Sequence, residues 1–176
     1  MASSTESPRL AQLAAFSQAA FTALLGDIFE HSPWVAERAW PLRPFDDVAH
    51  LHRSMRAQVE QADNAQVLAL LCAHPQLAGR EAQTGTLTEA SDQEQNSAGL
   101  KSLRTDEMQR IAALNAAYLN KHGFPFIVCV RHYTKAGIFH EFERRLALDS
   151  ARERDEALNQ VAAIARLRLQ ALFPDD

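Results

Sequence analysis

Residues 124–130, "FPFIVCV", are the one stretch of this 176-residue chain that argues for extended backbone, being short, apolar and rich in β-branched and aromatic side chains. A lone strand makes no sheet, because its backbone N–H and C=O groups need a neighbour. The other apolar positions recur at helical spacing. The expected fold class is therefore all-α: a single compact multi-helix domain with one buried extended segment. The length suits one domain with a real core. Its expected bounds are 10–173, after a flexible N-terminal tail over residues 1–9, where the sequence is small, polar and interrupted by a proline.

The helices follow from stripe and cap signals. Leu10, Leu13, Phe16, Ala20, Phe21 and Leu24 predict an amphipathic helix closed by Gly26. Ser32 and Pro33 predict the N-cap and first position of a short helix, which "PLRPF" stops. Asp46 or Asp47 caps a helix carrying Val48, Leu51, Met55 and Val59, and Asp63 or Asn64 opens "AQVLALLCA". "GREAQTGTL" reads as loop. Thr88 starts a polar helix through about Leu103, and Thr105 caps one with the stripe Met108, Ile111, Leu114 and Tyr118, ended by Lys121, His122 and a C′ glycine, Gly123. Thr134 caps a helix with Ile138, Phe142 and Leu146. A last helix carries Leu158, Val161, Ala165, Leu169 and Leu172. The charge run "ARERDE" reads as a solvated face.

A net charge of −4 and a pI near 6.0 give the chain no overall attraction to phosphate backbones or anionic lipid, so no nucleic acid or membrane partner is expected. No run nears the roughly 18 apolar residues of a span, and "MASSTESPRL" lacks the pattern of an export signal. Cys72 and Cys129 lie in apolar runs and read as small buried hydrophobes, which fits a reducing, cytoplasmic compartment. The histidines lack the spacing of a metal set, and no phosphate loop, dinucleotide motif or nucleophile elbow is present, so no metal or other cofactor is expected.

Four places break the pattern. His74 precedes Pro75, which crowds it out of the α region and puts it at a helix exit, a place for a site residue or for a simple polar helix end. Arg168 interrupts the stripe of 161, 165 and 172. It either snorkels to water or holds an anion in its two-pronged fork. Ser91, Glu94 and Gln95 share a helix face. Ser91 and Glu94 also fit a capping box, unless Thr88 caps first. Finally, the buried extended backbone must be satisfied by a flat amide-rich ligand, by side chains or by water.

Read in order, "FEHSPWVAERAW" with "RPF", then "HPQLAG", "LTEASDQEQNSAGL", "GFPFIVCVR" and "IARLRL", the chain resembles the OHCU decarboxylase family from about Phe16 to Leu172. The resemblance implies an all-α fold, often a homodimer. The reaction it implies is cofactor-free decarboxylation of 2-oxo-4-hydroxy-4-carboxy-5-ureidoimidazoline (OHCU) to (S)-allantoin, the last step of urate breakdown. It also implies the roles. His74 is the catalytic acid or base, Glu94 its partner and Arg168 a third catalytic group. Pro75, Ser91 and Gln95 line the substrate, and the backbone of Phe126, Ile127, Val128, Cys129 and Val130 meets its ureido and ring amides. His122 departs from the family, which often has an aromatic there. The competing expectation is a non-catalytic helical interaction module, which needs Arg168 exposed and no pocket at His74.

Overall fold

The computed structural model describes residues 9–176, so of the expected N-terminal tail all but Arg9 lies outside the described residues. Every element among them is helical, as the isolated extended segment requires. The chain divides into two compact units, one made of the residues to Leu70 with Ile164–Asp176, the other of Leu71–Ala163.

In the first unit a 3-10 turn, Leu10–Ala15, precedes α1, Gln18–Leu25. The single helix expected from Leu10 to Leu25 is therefore broken. Ser17 takes the N-cap role, its hydroxyl accepting from Ala20 N–H at 3.2 Å, and an N-cap must leave helical φ/ψ. Helix α2, Trp34–Ala39, starts one residue later than predicted: Pro33 holds the cap position, and the Ser32 hydroxyl donates to Glu30 O instead. Helix α3, Val48–Glu60, is capped by Asp47 and buries Val48, Leu51, Met55 and Val59, the predicted stripe. Its apolar face packs on α2, and α2 on α1. Phe21, Leu25, Val35, Leu51, Met55 and Leu169 form the centre of this unit, each such side chain stabilising the fold by about 1.5–3 kcal/mol on burial.

Helix α4 spans Asn64–Cys72, the unit boundary falling after Leu70. The second unit continues with α5 (Arg80–Thr84), α6 (Glu89–Ser97), α7 (Thr105–His122), α8 (Lys135–Leu146) and α9 (Ser150–Leu172), the last passing into the first unit at Ile164. Three expectations change here. "GREAQTGTL" contains the one-turn helix α5, closed by Gly85 at φ 71°. Helix α6 stops at Ser97, because Gly99 turns left-handed at φ 73°, and a 3-10 turn, Leu100–Ser102, follows. Helix α7 has Arg104 rather than Thr105 at its N-cap and buries Ile111, Asn115, Tyr118 and His122. Cys72 is exposed, its thiol reaching the Gly123 carbonyl at 3.5 Å, whereas Cys129 is buried as expected.

His122 lies against the Tyr118 ring, with Nδ1 3.0 Å from the Ser150 hydroxyl. Burial pushes its pKa below the ordinary 6.5, helped by Lys121 and Arg145 and opposed by Glu153. The fold thus prefers the neutral ring. Above 6.5 neither state binds the proton; below it the unfolded chain does so first, so stability falls as pH drops toward the depressed native value. His122→Phe is expected to lose less of its urea midpoint between pH 7 and pH 5 than the native chain. Equal losses would remove His122 from the acid response.

Candidate functional site

The turn after α4 presents His74. Pro75 prevents the helix from continuing, the His74 N–H closes onto Leu71 O at 3.2 Å, and the residue is 7% exposed. Ala78 then takes a left-handed φ of 47°, a conformation that persists where its surroundings enforce it. Two buried amides do so. Gln95 Oε1 accepts from Ala78 N–H at 2.9 Å while its Nε2 donates to Gln76 O at 3.4 Å, and Asn115 Nδ2 donates to Leu77 O at 2.9 Å. A Cβ on Gly79 would meet Gln76 Cβ at 2.7 Å, so the turn closes only on glycine. Asn115 went unread in the sequence; the available signal was a polar residue at 115 in register with 111, 118 and 122.

Helix α6 supplies Ser91, Glu94 and Gln95. The Thr88 hydroxyl accepts from Ser91 N–H at 3.3 Å, so Thr88 is the cap and the capping-box reading of Ser91 falls. Ser91 and Gln95 are buried, Glu94 partly so. The helix packs on the 3-10 turn Val130–His132 that ends the extended segment. Burial pushes the Cys129 thiol up, and the charge of Glu94 adds to the rise, which places that carboxylate within electrostatic reach of the segment.

The extended segment, Phe126 to Val130, is buried throughout. Side chains account for part of its backbone. Arg145 Nη1 donates to Ile127 O at 2.6 Å, and Gln160 Oε1 accepts from Cys129 N–H at 2.9 Å. Arg145 lies over the Phe126 ring, 4.6 Å from its centroid, and pairs with Glu153 through Nε at 3.0 and 3.2 Å and through Nη2. The Tyr118 hydroxyl donates to the same carboxylate, and burial followed by that bond pushes the phenol pKa up. Tyr118, Arg145 and Glu153 are all 0% exposed. Glu153 belongs to "ARERDE", so the solvated-face reading of that run fails at this residue. The run's other acids and its arginines are at least partly exposed.

Arg168 does not snorkel. Its Nη1 lies 2.7 Å from Glu30 Oε2 and 3.1 Å from Asp27 O, with side-chain exposures of 8% for Arg168 and 1% for Glu30. The anion it meets in the described residues is thus an internal carboxylate of its own unit. A separate cleft of about 290 Å³ is lined by Arg104, Glu107, Arg110, Lys135, His140 and Glu143. Its cations are paired within the cleft, Lys135 with Glu107 and Arg110 with Glu143, and it contains none of the residues singled out in the sequence. Among the described residues no group of three or more His, Cys, Asp or Glu is arranged to hold a metal ion, and no helix is long and apolar enough to cross a membrane.

The family model described as OHCU decarboxylase matches residues 14–170. The chain is 40% identical over 156 residues to the 2-oxo-4-hydroxy-4-carboxy-5-ureidoimidazoline decarboxylase of Haloferax volcanii, covering 89% of this chain and 90% of that one. It is 40% identical over 168 residues to the uric acid degradation bifunctional protein of Bacillus sp. (strain TB-90), covering 94% of this chain but only 32% of that protein. The crystal structure of an (S)-allantoin synthase superposes with a TM-score of 0.74 at 30% identity, over 94% of this chain and 54% of that one.

Proposed function

The chain belongs to the OHCU decarboxylase family, and on that premise we propose that it is a carboxy-lyase converting OHCU to (S)-allantoin in urate degradation. The observation that carries the reading is the tie between α6 and the His74 turn: Gln95 holds Ala78 and Gln76 from the helix that also bears Ser91 and Glu94. Three of the blocks behind the resemblance thereby meet in one unit, with the extended segment packed on the same helix.

Loss of CO₂ from the carboxylate-bearing carbon leaves an electron pair on that carbon, which the adjoining imine-like ring receives and a proton then quenches on one face. The His74 imidazole, which can accept a proton at one nitrogen and donate one from the other, is the group to move that proton, with Glu94 as its partner. Ser91, Gln95 and the backbone of residues 126–130 hold the flat, polar ring, so that protonation on one face is a matter of position. The catalytic part assigned to Arg168 rests on the sequence resemblance alone. So does a homodimer, whereas a cytoplasmic location rests on the cysteine pattern, and a reaction without metal or organic cofactor on the missing ligand spacings and motifs as well as on the resemblance.

The test is to generate the unstable substrate from urate with the upstream enzymes and follow the optical activity of the allantoin formed. Spontaneous decay yields racemate. With the protein present the product is expected to be (S)-allantoin, formed faster; racemate at the uncatalysed rate would reject the reading.

A further inference from the structure

Two side chains outside the blocks that carry the family resemblance hold the extended segment by its peptide groups: Arg145 of α8 at Ile127 O, and Gln160 of α9 at Cys129 N–H. The peptide bonds on either side of Val128 are trans, since the one cis bond among the described residues is Arg43–Pro44. In a planar trans peptide the C=O and the N–H point in opposite directions. The Val128 N–H is therefore turned away from Arg145, and the Val128 C=O away from Gln160. Among the described residues neither group has a hydrogen-bond partner, although Val128 is only 3% exposed. Buried backbone groups are seldom left so. A donor and an acceptor on one residue match the N–H and C=O edge of an amide or ureide.

We infer that Gln160, together with Arg145, is a positioning residue that aims the Val128 N–H and C=O at the amide edge of the bound ligand. The inference rests on the proposed reading of the segment as a substrate contact. Arg145 is locked in the buried cluster with Glu153 and Tyr118, so its removal would disturb folding. Gln160 is partly exposed on a long helix and gives the cleaner test.

Gln160→Glu keeps an oxygen acceptor for the Cys129 N–H; Gln160→Met keeps the length and loses the acceptor. With substrate generated from urate, Gln160→Met is expected to lower kcat/KM about tenfold or more, because small misplacements of binding groups are costly. Its melting temperature should move by no more than about 4 °C. Gln160→Glu should stay within about twofold of the native chain, as one acceptor replaces another. In ¹H–¹⁵N spectra, added (S)-allantoin should shift the Val128 amide in the native protein and in Gln160→Glu but not in Gln160→Met. Native kcat/KM in Gln160→Met, or equal impairment of both variants, overturns the inference. Racemic product from the native protein would instead reject the proposed function, and the Val128 shifts then decide alone: the stated pattern supports the positioning role and any other overturns it.

Discussion

Replacing His74 by asparagine is expected to leave a folded protein whose rate of (S)-allantoin formation is lower by about 100- to 10,000-fold, the usual contribution of a general acid or base. The hydrogen bonds that shape the turn run to main-chain atoms. Its closing bond to Leu71 O uses the main-chain N–H, and its next residues are held by Gln95 and Asn115 through their own backbone atoms. A polar side chain that leaves the helix at this point satisfies the same geometry before Pro75. The comparison to make is catalysed rate against urea stability. A variant with native stability and a rate within about threefold of the native chain would return His74 to the role of a helix end.

Arg168→Met is expected to cost about 3–5 kcal/mol of stability, the range for removing one partner of a buried ion pair. Read from sequence, the substitution looks benign, since methionine completes the stripe of Val161, Ala165 and Leu172. The structure reverses the sign. Glu30 is 1% exposed, and the guanidinium 2.7 Å away is the charge that offsets its carboxylate. Equilibrium urea unfolding measures the loss. Adding Glu30→Gln to Arg168→Met should recover part of it, because a neutral amide is less costly to bury than a carboxylate. Unchanged stability in the single variant would mean that the pair is not buried in solution.

Elements whose determinants are local could be read from the sequence. The α3 stripe, the Thr88 and Thr134 caps and the left-handed Gly123 each depend on residues within a turn or so of one another. The family blocks likewise located the His74 turn, the α6 face and the extended segment. What escaped depends on partners remote along the chain. Glu153 sits in a run of charges, and only its meeting with Arg145 and Tyr118 makes it an interior residue. Asn115 and Gln160 act on backbone atoms, which every residue carries alike, so their targets leave no mark in the sequence. The break at Ser17 is a contest between a cap and an apolar stripe that continues past it. Periodicity alone does not decide such a contest.

The interior cluster of Tyr118, Arg145 and Glu153 also shapes how this chain is able to change over generations. Arg145 and Glu153 neutralise each other and the Tyr118 hydroxyl donates to the same carboxylate, so removing either charged member alone strands the other in a dry interior. Replacing all three at once by well-packed apolar residues leaves no ion behind, although it takes the Arg145 donor from the Ile127 carbonyl. A path between those two sequences that removes one charge at a time passes through a destabilised intermediate. The charged pair is therefore held in place by the steps needed to leave it rather than by the stability it confers.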